Sequence, residues 1–178
     1  MRLDNKNTKE YLNAFAKYVI QQSRSNLTKQ DKNNTKDLSN SLDKEIEVGA
    51  NSFRLAFLSE DYLKFVDKGI KGKTSSTKAP NSPYKFGSGT GKKGGLTEGI
   101  SKWVRQKRIQ FKDRKTGKFL SYQSTSFLIT RSVYHKGIKP SLFFTKPFEK
   151  AFERLPDELV EAYGLDVEEF LQFTINKK

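Results

Sequence analysis

Cysteine is absent from the sequence and histidine occurs once, at His135. The first absence excludes a disulfide framework and thiolate metal sites, and the second leaves no room for paired-histidine chemistry or an ordinary protein-bound zinc. Long apolar runs are missing too: no stretch approaches the roughly 18 residues of a membrane span. The opening MRLDNKNTKEY carries charges and amides where a signal peptide needs an apolar run. These absences point to a soluble, non-secreted protein that does not enter a membrane. Acids are missing locally: between Lys68 and Gly95 there is none.

What is present suffices for one core. Of 178 residues, 34% are hydrophobic, 12% aromatic and 30% charged, and the mean hydropathy is −0.75. That balance fits a single domain over residues 1–178 with a generous surface. The net charge of +14 is unevenly spread. Residues 1–66 hold 11 bases and 9 acids, residues 67–118 hold 15 and 3, and residues 119–178 hold 8 and 8. Between Glu149 and Glu169 the acids gather again, among them Glu158, Glu161, Glu168 and Glu169. A chain polarised in this way can steer polyanions to its middle, or let the basic region of one copy meet the acidic region of the next. The second kind of contact joins unlike patches, so a closed assembly built on it is a ring. The simpler alternative is a solvated basic loop beside a solvated acidic helix.

Hydrophobic periodicity outlines the elements. Tyr11, Leu12, Phe15, Ala16, Val19 and Ile20 predict a long amphipathic N-terminal helix over about 8–22, with Thr8 as its cap. Residues 23–40 read as a polar connection or a frayed extension of the helix. Ile46 and Val48, then Phe53, Leu55 and Phe57, alternate around Gly49-Ala50-Asn51 and predict a hairpin. A short helix carries Tyr62, Phe65 and Val66 and ends at Gly69. The stretch 68–95, with seven lysines and seven glycines, reads as a long mobile loop with no core of its own. A helix from Thr97 buries Ile100, Trp103 and Val104. A second hairpin is expected around Asp113-Arg114-Lys115-Thr116-Gly117, and a helix over 124–136 burying Phe127, Leu128 and Val133. Helices over 146–155 and 157–163 follow, with Gly164 separating the latter from a final segment. The sum is an α+β fold: a small antiparallel sheet of two hairpins packed against the long N-terminal helix and further helices, with a long basic loop.

Few residues qualify for chemistry. Gly89, Gly91 and Gly94 spell G-x-G-x-x-G, but the dinucleotide fingerprint needs a buried strand before its first glycine, and Pro83 to Ser88 leads in instead. The run 87–93 fails the phosphate-loop spacing, because Lys93 stands where a Ser or Thr must bind magnesium. His135, one turn after Arg131 and beside Lys136, reads as a capping or surface residue. The acids of 149–169 alternate with Lys150 and Arg154 as on a solvated face. No catalytic, cofactor-binding or metal-binding residues are expected, and no enzyme. The candidate interface is the basic loop: Lys68, Lys71, Lys73, Lys78, Lys85, Lys92 and Lys93 seek anions, and Tyr84 and Phe86 can stack on bases or plug a neighbour's pocket. The matching acidic partner face is Glu158, Glu161, Glu168 and Glu169.

The order of small motifs carries a resemblance. Tyr62-Leu63-Lys64-Phe65-Val66-Asp67-Lys68-Gly69-Ile70-Lys71-Gly72 is followed by Ser82-Pro83-Tyr84-Lys85-Phe86 and then by Ile100-Ser101-Lys102-Trp103-Val104-Arg105-Gln106-Lys107. Ser132-Val133-Tyr134-His135-Lys136-Gly137-Ile138-Lys139-Pro140 then precedes Phe143-Phe144. Over roughly residues 10–170 this resembles the head-to-tail joining proteins, the neck or tail-completion proteins, of tailed bacteriophages. The resemblance implies a non-enzymatic virion protein, assembled in the host cytoplasm as a homo-oligomeric ring. The ring would sit between portal-side and tail-side proteins, around the channel for double-stranded DNA. It places Tyr62, Phe65, Gly69, Trp103 and Val104 at motif positions, where core packing under the loop is expected. The strongly basic loop departs from the family pattern and leaves open whether it faces DNA or protein. The alternative function is non-specific nucleic-acid binding through the same loop.

Overall fold

The computed structural model describes residues 5–32, 35–49, 52–89 and 94–176. Among the described residues it has the expected mixed character: seven helices, the first of them long, and two antiparallel sheets of two strands each. The chain forms two compact units, one of residues 1–63 and 142–178, the other of residues 64–141.

The first unit is built on α1 (Lys6–Lys29), α2 (Asp37–Ser41), β1 (Asp43–Val48) and β2 (Phe53–Leu58). The stripe along α1 runs through Leu12, Phe15, Ala16, Val19 and Ile20 as expected, and continues through buried Ser23 and Leu27. Of the two readings of 23–40, the helical extension holds as far as Lys29, and a further short helix begins at Asp37. Leu27 falls one period beyond Val19 and Ile20 and extends the stripe into polar sequence. Arg24 then fastens the next turn, its guanidinium donating to the carbonyls of Ser39 and Leu42, each at 2.9 Å, beside buried Leu38 and Leu42.

β1 and β2 pair from Asp43 with Leu58 to Val48 with Phe53. Alternation puts Lys44, Ile46 and Val48 on one face with Phe57, Leu55 and Phe53. Lys44 is the polar exception on that face, and its ammonium is hydrogen-bonded to the Asn13 side chain of α1. Residues 50 and 51 of the anticipated turn lie outside the described residues. The rest of the unit is α6 (Thr145–Phe152) and α7 (Leu155–Asn176). Phe15, Phe57, Phe144 and Phe148 form one cluster with ring centroids 5.2–6.5 Å apart, mostly edge to face. Such ring pairs contribute about 0.5–1.5 kcal/mol beyond simple burial.

α7 corrects the expected break at Gly164, because the helix runs straight through it. Ala162 and Asp166 are buried, and Leu159 and Phe170 half-buried, at spacings of three and four. The packing of that face on α1 outweighs the roughly 1 kcal/mol that a helical glycine costs. Asp166 also replaces the expected cap of α1. Thr8 lies inside the helix, Asn5 at the N-cap makes no side-chain capping bond, and the first turn has no acid of its own. The carboxylate of Asp166 accepts instead from the amides of Asn7 (2.8 Å) and Thr8 (2.9 Å), the Thr8 hydroxyl (2.7 Å) and the Asn7 side chain (3.0 Å). One turn onward, the Tyr11 hydroxyl donates to Glu158 at 2.5 Å. Burial, then the hydrogen bond and charge of Glu158, push the Tyr11 phenol well above its ordinary value.

The second unit holds α3 (Leu63–Lys68, entered at its second residue), β3 (Ile70–Lys71), α4 (Gly95–Gln106), α5 (Tyr122–Lys136) and β4 (Gly137–Ile138). Its sheet differs from expectation, since β3 pairs with β4 across the unit. The hairpin anticipated around 113–117 closes with a single bridge, Lys112 to Phe119. Asp113 supplies the turn, accepting from the amides of Lys115 (2.9 Å) and Thr116 (2.8 Å) and from the Thr116 hydroxyl (3.1 Å). α4 and α5 pack on one another around buried Val104, Thr125 and Ser126. Phe127 and Leu128, expected in the core, point outward at 61% and 44% exposure.

At Asp166, burial raises the carboxyl pKa, but the hydrogen bonds from Thr8 and Asn7 outweigh burial and hold it below the ordinary 3.8. A depressed carboxyl contributes stability that is complete above 3.8 and drains away as the pH falls through the lower folded value. Asp166→Ala should cost about 2–4 kcal/mol at neutral pH in urea unfolding followed by circular dichroism, with the deficit shrinking in acid. A loss under about 0.5 kcal/mol would remove Asp166 as the anchor of α1.

Candidate functional site

The basic loop is anchored rather than loose over its described part. Ser82 is buried, its hydroxyl donating to the Gly69 carbonyl at 2.7 Å and accepting from the Tyr84 amide at 3.1 Å. The Lys71 amide donates to Tyr84 and the Phe86 amide to Lys71, at 2.8 and 2.9 Å, so 84–86 lies alongside β3. Lys73 and Thr74 amides reach the last carbonyls of α5, those of Tyr134 and His135, at 2.9 and 3.3 Å. These are helix-end acceptors that would otherwise need water. The expected mobile loop thus has a small framework, which composition alone does not reveal because backbone atoms and serines make it.

Three glycines allow this approach. A Cβ on Gly72 would overlap the His135 carbonyl, and one on Gly137 the Ile70 carbonyl. Gly69, at φ +69°, would bring one within 2.5 Å of the Ile138 carbonyl. The strands cross closer than any side chain permits.

Anchoring changes what the candidate residues can do. The Tyr84 ring packs edge-on against Phe65 at 4.7 Å, and Phe86 lies 5.8 Å from Tyr134, so both aromatics are half-buried within their own unit. Phe65 lies under the loop as the motif order implies, and Val104 is buried, whereas Tyr62 and Trp103 keep 40% and 37% of their surface exposed. Lys71 is half-buried in β3, and the Lys73 ammonium sits 5.8 Å above the Tyr134 ring. Lys68, Lys73, Lys78 and Lys85 are exposed, and Lys92 and Lys93 lie outside the described residues.

On the acidic side, Glu158 is engaged by Tyr11, Glu169 accepts from the Asn7 side chain at 3.3 Å and Glu168 from Gln172 at 3.1 Å. Glu161 is exposed. Asp166, grouped by spacing with the solvated acids, is the buried cap of α1. Its role is invisible in sequence because its partners lie 158 and 159 residues away.

Other candidates narrow further. No strand leads into Gly89, and Gly91 lies outside the described residues. Among the described residues no group of three His, Cys, Asp or Glu could hold a metal ion, and no helix is long and apolar enough to cross a membrane. A shallow depression along α4, lined by Gly94, Thr97, Glu98, Ser101, Lys102 and Arg105, is open to solvent and spanned by the Glu98–Lys102 ion pair at 2.8 Å.

What the fold adds is a division of charge. The second unit carries 19 of the 34 bases and three of the 20 acids, a net +16, which leaves −2 for the first. Asp113, one of those three acids, is occupied by its own turn. The hydrogen bonds from the Thr116 amide, the Lys115 amide and the Thr116 hydroxyl hold its carboxyl below the usual range. Around it Lys112, Arg114, Lys115 and Lys118 are exposed, which extends the basic surface beyond the loop. No family model matches the chain, and no curated protein or solved structure matches it.

The glycine crossing can be checked against a neutral position. Gly72→Ala should destabilise the protein by about 1–3 kcal/mol through overlap with the α5 terminus. Gly99→Ala, in α4 with open space around it, should be neutral or stabilising by up to about 1 kcal/mol. Equal melting temperatures for the two variants would contradict the crossing.

Proposed function

We propose that this chain is a structural virion protein, a ring subunit of the head-to-tail connector of a tailed bacteriophage, at the neck or tail-completion position. The observation that carries the reading is the charge division, +16 on one compact unit and −2 on the other. Unlike surfaces on one chain favour head-to-tail association of copies, and closure of such contacts makes a ring. The motif order that resembles the joining proteins supports the same reading.

The mechanism is geometric. Subunits lock side by side through the loop 68–95, whose backbone anchoring at Gly69, Gly72 and Ser82 presents Lys68, Lys78 and Lys85 outward. Pre-ordering the loop reduces the entropy lost on assembly. The ring surrounds the DNA channel and joins portal-side to tail-side proteins, within the virion and, during assembly, in the host cytoplasm. A second reading, sequence-independent nucleic-acid binding, is favoured by one observation, the exposed bases at 112–118.

Light-scattering mass of nuclease-treated protein at about 100 mM and about 1 M salt separates the two, since the screening length falls from about 10 to 3 Å. A discrete multi-chain mass free of nucleic acid is expected at the lower salt. A single-chain mass with duplex retention only at low salt would replace the connector by the nucleic-acid reading.

A further inference from the structure

On α5, Thr125 and Ser126 are buried, and Tyr122, Ile129 and Val133 half-buried. The opposite face, at helical spacing, is Phe127, Leu128 and Arg131, all exposed. The helix therefore has two apolar sides, one turned inward at Tyr122, Ile129 and Val133 and one left exposed at Phe127 and Leu128, and adjacent exposed apolar groups of this size favour an interface. α7 shows a related pattern. With Ala162 and Asp166 on α1, its outer face carries Val160, at 73% exposure, and Leu171, at 53%, together with Glu161 and Glu168. The two outer faces match in spacing: Leu128 lies about 5 Å along α5 from Arg131, as Leu171 lies about 5 Å along α7 from Glu168.

We infer that the α5 face of one copy docks antiparallel on the α7 face of the next, with Phe127 and Leu128 against Leu171 and Arg131 against Glu168, Val160 and Glu161 lying further along the same side of α7. The inference rests on the self-assembly reading and adds a helix-to-helix contact to the one made by the loop 68–95. A two-fold contact is disfavoured, because α5 against α5 or α7 against α7 brings like charges together. A nucleic-acid backbone fits the α5 face less well, since phosphates offer nothing apolar to Phe127 and Leu128. Head-to-tail docking uses each face once per copy, so a closed ring leaves neither exposed. The lengths suit: 15 residues of α5 span about 22 Å and 22 residues of α7 about 33 Å.

A charge exchange tests the pairing. Arg131→Glu alone, or Glu161→Arg with Glu168→Arg, sets like charges across every contact and should weaken self-association at least about tenfold. Mixing the two variants restores unlike charges at both kinds of alternating junction and should regain a multi-chain mass. Phe127→Ser should also weaken association while its thermal unfolding stays that of the wild type, because the side chain is exposed. Variants that assemble like the wild type would overturn the docking and leave the ring reading intact. Loss of assembly that mixing does not restore would overturn this pairing of faces. A wild type of single-chain mass, with Arg131→Glu lowering duplex DNA retention, would reassign the face to a polyanion and take the ring reading with it.

Discussion

The carboxylate of Asp166 at the start of α1 is the constraint on which the first unit depends. It closes the N-terminal helix with a group from near the other end of the chain, at a helix start that has neither a capping side chain nor an acid of its own. It therefore settles the rotation of α7 about its axis. Once Ala162 and Asp166 lie on α1, Val160, Glu161, Glu168 and Leu171 have only the outward side. The surface available to a partner follows from an internal hydrogen-bond requirement.

The second unit solves a different problem. Its net charge of +16 opposes compaction, and its helices bury few large side chains, Val104 being the only buried residue of α4. Close backbone crossing supplies part of the remedy: Gly69, Gly72 and Gly137 let the loop reach β4 and the end of α5, where amides find carbonyls that a wider spacing would leave to water. Lys68, Lys73, Lys78 and Lys85 are left exposed around this framework. A polar, hydrogen-bonded base carrying exposed cations and an outward Phe127 is well suited to association and poorly suited to enclosing a small substrate.

Much of the fold was legible in sequence where local periodicity decides it. The α1 stripe, the β1–β2 hairpin, the stop of α3 at Gly69 and the end of α5 at Gly137 all follow from side-chain spacing and from glycine at helix ends. The misreadings share a cause, which is that partners distant in sequence overrode a local signal. Gly164 was carried through by packing on α1, and the short sheet joined residues 70–71 to 137–138. At the candidate site the lysines and the Glu158–Glu169 acids were visible as charge. The engagement of Tyr84 and Phe86 by Phe65 and Tyr134 was not, because ring contacts between separated segments leave no periodic trace. The outward Phe127 and Leu128 are the most informative disagreement: an apolar pattern that the single chain leaves exposed.

Electron cryomicroscopy of the purified protein in dilute salt addresses the central claim, that copies join through unlike surfaces. Closed rings of cyclic symmetry are expected, with residues 122–136 of each copy against residues 155–176 of the next. Two-fold particles in which like surfaces meet would contradict it.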